Sequence, residues 1–78
     1  MNKARRKEIA KAIELIEEAY GILDMVRDEE QEAFDNMPEG LQGSERGEQM
    51  EEYICILEEV LESLDTEELQ SIVDGYYC

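Results

Sequence analysis

The sequence predicts an all-α protein: a long antiparallel helical hairpin with a short C-terminal helix, associating into a dimeric helical bundle. Three observations predict it. Two stretches repeat apolar residues at alternating spacings of four and three. The single Pro and two nearby glycines, Gly40 and Gly43, fall between them. The apolar arc on each stretch is also too wide for one helix-to-helix seam to cover.

The first helix spans 3–35. Ile9, Ile13, Ile16, Tyr20 and Leu23 form a heptad seam, which continues through Arg27 and Glu30 to Phe34 and weakens after Leu23. With Ile9 at position d, Ala12, Ala19 and Val26 fall at g, and Leu15 and Ile22 at c. The connection is 36–43. Asn36 can cap, and Pro38 fixes φ and cannot continue a helix. Met37 and Leu41 are expected to tuck back against the closed end.

The second helix spans 44–64. Ser44 is its N-cap, and Glu45 and Glu48 sit where the helix dipole favours anions. Met50, Ile54, Leu57, Leu61 and Leu64 are its seam, with Tyr53 and Val60 at g and Ile56 at c. Asp65-Thr66-Glu67-Glu68 reads as a fresh start with a capping box. A third helix at 66–74 then presents Leu69, Ile72 and Val73 and stops at Gly75, the alternative being that helix two runs on through residue 74. Residues 75–78 form a tail. The whole chain is one domain.

Positions c, g, d and a together cover roughly 160° of a helix circumference. A two-helix pair buries the a and d seam and leaves c and g in water. A second copy covers them best, and a chain this short commonly needs such reinforcement. The residues expected to serve self-association are Ile9, Ala12, Ile13, Leu15, Ile16, Ala19, Ile22, Leu23, Ile56 and Val60.

The net charge is −15, from twenty-two acids against seven bases with no His. It is unevenly placed. Residues 1–12 carry Lys3, Arg5, Arg6, Lys7 and Lys11 against Glu8 alone, while the remainder has only Arg27 and Arg46 against the other acids. Direct nucleic-acid binding by most of this surface is disfavoured, because phosphate is repelled. A protein with a basic surface is attracted. The expected partner-binding residues are Glu17, Glu18, Asp24, Asp28, Glu48, Glu51, Glu52, Glu58, Glu59 and Glu62. Solvated helices normally mix signs, and helix two has no Lys. A plain solvated face remains the bland reading of these acids.

Nothing points to catalysis. Without His, the serines have no evident base, and Cys55 lies among Glu51, Glu52, Glu58, Glu59 and Glu62. Two cysteines without His make neither a zinc site nor a disulfide framework. The acids of 24–35 lack the central glycine of a calcium loop. The expectation is no enzyme, no metal and no cofactor. The basic N-terminus is followed by no apolar core of a leader peptide, and no apolar run is long enough for a bilayer, so a cytoplasmic location is expected.

The stretch Phe34-Asp35-Asn36-Met37-Pro38-Glu39, then Leu41-Gln42 and Ser44-Glu45-Arg46, resembles a group of small acidic helical-hairpin proteins encoded on phages and mobile elements of Firmicutes. The likeness covers the connection and both flanking helices. It implies a mobile-element origin and carries no site residues. Small acidic phage proteins include inhibitors of host defence, anti-CRISPR proteins among them. The group has no assigned function, but this setting favours the reading that the acidic faces imitate nucleic acid and inhibit a host protein. The alternative is an adaptor whose wide apolar face takes a partner helix. A nucleotide sponge is disfavoured, since only the N-terminal bases suit phosphate. In the signature itself, Arg46 is the one base near enough in sequence to pair with Asp35.

Overall fold

The computed structural model describes residues 1–75 and is all-helical there. Helix α1 runs Lys3–Asp35, α2 is a single turn at Glu39–Gln42, α3 runs Glu45–Ser63, and α4 runs Glu67–Val73.

Each boundary has a local cause. The Asn2 side chain accepts the Arg5 amide at 2.8 Å and starts α1. Pro38 ends the continuation of α1, and the next residues turn once as α2. Ser44 caps α3, its hydroxyl accepting the Gly47 amide at 3.4 Å and donating to the Leu41 carbonyl. Between α3 and α4 the chain breaks at Leu64, whose ψ of 35° leaves the helix. The Asp65 carboxylate then accepts the Glu67 amide at 3.0 Å. Thr66 makes no side-chain cap, and no bond from Glu68 closes a capping box among the described residues. Gly75, at φ 86°, ends α4 in a conformation that favours glycine. Tyr76, Tyr77 and Cys78 of the expected tail lie outside the described residues.

Both α3 and α4 pack against α1. The pairings run in reverse order along the chain. Val26 and Glu30 lie beside Tyr53 and Leu57, Glu17 and Tyr20 beside Leu61 and Leu64, and Lys3 and Ala10 beside Val73. The Cα trace measures 58 × 16 × 13 Å. That cross-section holds two helices side by side in one layer. The radius of gyration is 18.0 Å, against about 11.5 Å for a compact chain of this length.

One layer makes a thin core. Among the described residues only Ile13, Ile54 and Leu61 are buried apolar side chains. The rest of the seam, Ile9, Ile16, Leu23, Phe34, Met50, Leu57 and Leu64, is half-buried. Tyr20 is more exposed than its seam position suggests, and Arg27 and Glu30 are half-buried at seam positions.

The closed end differs from expectation in two respects. Leu41 does not tuck in: it is 52% exposed, because the α2 turn points it outward. Arg46 does not reach Asp35. That carboxylate instead accepts from Gln31 Nε2 at 3.0 Å, one turn back on its own helix. The end is held by Gln42, whose Nε2 donates to the Phe34 carbonyl at 3.1 Å and to the Met37 carbonyl at 3.3 Å. The Phe34 carbonyl also accepts the Met37 amide at 3.1 Å, so Gln42 adds a second bond there and ties the Met37 carbonyl to the chain that follows.

Candidate binding faces

When two helices pack in reverse order through a and d, their g and c positions share one side of the layer and their e and b positions share the other. The grooves bear this out. Val26, Tyr53, Ile56 and Leu57 line one groove together with Glu29 and Glu30. Glu17, Glu62 and Asp65 line another with Tyr20 and Leu61, on the e and b side. The layer therefore has an apolar face and an acidic face.

The apolar face carries Ala12, Leu15, Ala19, Ile22 and Val26 from α1, and Tyr53, Ile56 and Val60 from α3, all exposed. Leu15 is 58% exposed, Ile22 53% and Ile56 48%. The six large side chains together expose on the order of 500 Å² of apolar surface, near the top of the range for the largest patch on a monomer. The residues expected to serve self-association thus divide in two. Ile9, Ile13, Ile16 and Leu23 lie in the intrachain seam, whereas Ala12, Leu15, Ala19, Ile22, Ile56 and Val60 face outward.

On the acidic side, Glu17, Asp24, Asp28, Glu48, Glu51, Glu58 and Glu62 occupy e and b positions, and Glu18, Glu52 and Glu59 occupy the outer edges at f. All are exposed except Asp24, which is half-buried. Asp24 and Asp28 share the Arg27 guanidinium, at 2.7 and 3.0 Å. No carboxylate of α3 has an ion-pair partner among the described residues; Glu59 touches only the Cys55 thiol, at 3.9 Å. Helix α3 places seven carboxylates on 19 residues, about one per 4 Å of its roughly 28 Å length. One strand of duplex DNA carries a charge about every 3.4 Å of helix axis.

Among the described residues no group of three or more His, Cys, Asp or Glu side chains could hold a metal ion. No helix there is long and apolar enough to cross a membrane. Two positions that matter went unread in the sequence. One is Gln42, the clamp on α1. The other is Gly47, buried where α2 passes over the first turn of α3, with the Gln42 carbonyl against its Cα. Pattern reading has no signal for Gln42. A glycine in the first turn of a helix, just after a tight turn, is a hint that backbone passes close by.

Comparison with family models, with curated proteins and with solved structures returned no match.

Proposed function

We propose that this chain is a non-catalytic binding protein, a helical hairpin that presents its acidic face to the basic, nucleic-acid-binding surface of another protein and so blocks it. The observation that carries this reading is the charge spacing on α3, close to that of a single DNA strand, with Arg46 in the first turn as the helix's one base and no ion pair along it among the described residues. Like charges on one helix cost stability. A face kept that way is suited to a cationic partner, whose approach it steers. The likeness of the 34–46 segment to phage-encoded proteins puts host defence forward as the setting. In this reading two hairpins pair through their apolar faces, leaving both acidic faces outward.

A second reading has its own support in the exposed Leu15, Ile22 and Ile56: an adaptor that takes a partner helix on the apolar face. One experiment separates the two. The immobilised protein captures partners from a bacterial lysate, and bound proteins are challenged with duplex DNA and with salt. Under the acidic-face reading, DNA and about 0.5 M salt release the partner, and Glu51→Lys with Glu58→Lys and Glu62→Lys abolishes capture. Capture that survives all three changes but is lost in Ile56→Asp refutes the acidic-face reading in favour of the adaptor.

A further inference from the structure

The chain exposes 6125 Å², whereas a compact monomer of 9.1 kDa exposes about 4,900 Å². The excess, about 1,200 Å², exceeds the roughly 800 Å² that each partner contributes to a standard interface. The apolar face is the evident place for it.

The spacing of that face comes within one residue of an internal symmetry. In α1 the outward residues Ala12, Leu15, Ala19, Ile22 and Val26 are separated by 3, 4, 3 and 4. Turned end for end about Ala19, Ala12 meets Val26 and Ala19 meets Ala19, while Leu15 falls at position 23 of the second copy, one residue from Ile22. Ala19 is also the midpoint of the Lys3–Asp35 helix. Small side chains at the crossing point let two backbones approach closely.

The charge has the matching symmetry. The same rotation lays residues 1–12 of one copy along residues 26–37 of the other. The first segment has five bases and one acid; the second has Asp28, Glu29, Glu30, Glu32 and Asp35 against Arg27, so the net charges are +4 and −4. A parallel pairing would set like against like at both ends. The bases also need an external use. The first turn of α1 has no acid, so its cations stand against the helix dipole. Glu67, Glu68 and Asp74 of α4 lie along that half of α1, yet Lys3, Arg5, Lys7 and Lys11 form no ion pair among the described residues.

We propose that a second copy of this chain docks antiparallel on the apolar face, with the two-fold axis at Ala19 and the basic N-terminal end of each α1 over the acidic C-terminal end of the other. This rests on the self-association in the reading above and not on the acidic-face partner.

Cross-linking tests it, in full-length protein carrying Cys55→Ser and Cys78→Ser, with a short bismaleimide and with sedimentation equilibrium alongside. Ala19→Cys should cross-link to itself in high yield. A mixture of Ala12→Cys and Val26→Cys chains should cross-link, while either alone should not. Efficient cross-linking of Ala12→Cys alone, or of Val26→Cys alone, means a parallel pair and overturns the proposal. A monomeric mass at all concentrations overturns the self-association on which it rests. Charge gives an independent check on the native cysteine background. Arg5→Glu with Lys11→Glu, the bases at g and f on and beside the apolar face, should raise the dimer Kd severalfold at low salt, fading at about 0.5 M. Glu8, the one acid of the basic end, faces Glu29 and Glu30 of the second copy, so Glu8→Lys should lower the Kd. Effects of opposite sign mark a parallel pair.

Discussion

Gly21 and Gly47 receive the same substitution in the same kind of element and should respond with opposite sign. Gly21 lies inside α1, exposed, and a methyl group there meets nothing within 4 Å. Gly21→Ala gains helix propensity worth about 1 kcal/mol. For a chain of this size that raises Tm by roughly 4–8 °C. Gly47 is also helical, so the same gain of about 1 kcal/mol is on offer. Its added Cβ, however, would stand 2.1 Å from the Gln42 carbonyl oxygen and 2.7 Å from that of Leu41. Both are backbone atoms, and neither swings aside as a side-chain tip would. The α2 turn must lift by about an ångström, which loosens the Ser44 cap and the Gln42 clamp together. Overpacking of this kind costs about 3 kcal/mol, for a net loss of about 2 kcal/mol and a Tm lower by roughly 10 °C. Thermal unfolding followed by circular dichroism reads both, at one fixed protein concentration because association shifts Tm. Two changes of the same sign would refute the close approach at Gly47 as the reason a glycine stands there.

Three further outcomes follow from the layer. Ile54→Ala should cost about 2 kcal/mol by urea unfolding, at the low end for a buried isoleucine because a single layer lets neighbours relax, while Ile56→Ala in dilute protein should cost under about 1 kcal/mol. Gln42→Ala removes both donors to the end of α1 and should cost about 1 kcal/mol, with faster hydrogen exchange confined to residues 34–37 and the start of α3. The double change Ile56→Glu with Glu58→Ile keeps composition, net charge and seam but moves an apolar group from c to e. Helicity by circular dichroism should hold while self-association and salt-sensitive partner capture both weaken; unchanged association would show that the sides of the layer do not matter.

The all-helical character was legible because the seams are long and regular. Their burial follows the spacing closely: Ile13, Ile54 and Leu61, the buried side chains, are all at position a. The sequence was least legible where three-dimensional detail outweighs pattern. Leu41 reads as a plug but is turned outward by the one-turn α2, whose single hydrogen-bonded turn has no periodicity to reveal it. Arg46 reads as the partner of Asp35, but Gln31 already serves that carboxylate from one turn away on the same helix, at lower entropic cost. Gln42 acts through an amide on two backbone carbonyls, and no spacing rule marks a residue that caps another helix. The candidate faces were legible as lists. That Arg27 partly neutralises Asp24 also lies in the i,i+3 spacing, whereas its contact with the adjacent Asp28 has no such signal.

The sidedness of the molecule belongs to neither helix alone. Each helix by itself is apolar over a broad arc and, beyond the basic N-terminal end of α1, acidic over the remainder, which is true of many amphipathic helices. The extra apolar residues of both lie on the d side of the seam, at g and c, and pairing in reverse order puts those two flanks on one side of the layer. Had α3 carried its flank at e and b, each surface would have mixed one apolar and one acidic strip. Neither a continuous patch able to hold a second copy nor a continuous carboxylate surface able to hold a cationic protein would then exist. Two surfaces of opposite character on one thin layer also make the two proposed uses compatible, since occupying the apolar side would leave the acidic side open to solvent. With so few buried side chains among the described residues, a layer of this kind would gain much stability from a partner that covered the apolar side. Covering it with the same chain doubles the number of acidic faces per particle and fixes them pointing in opposite directions.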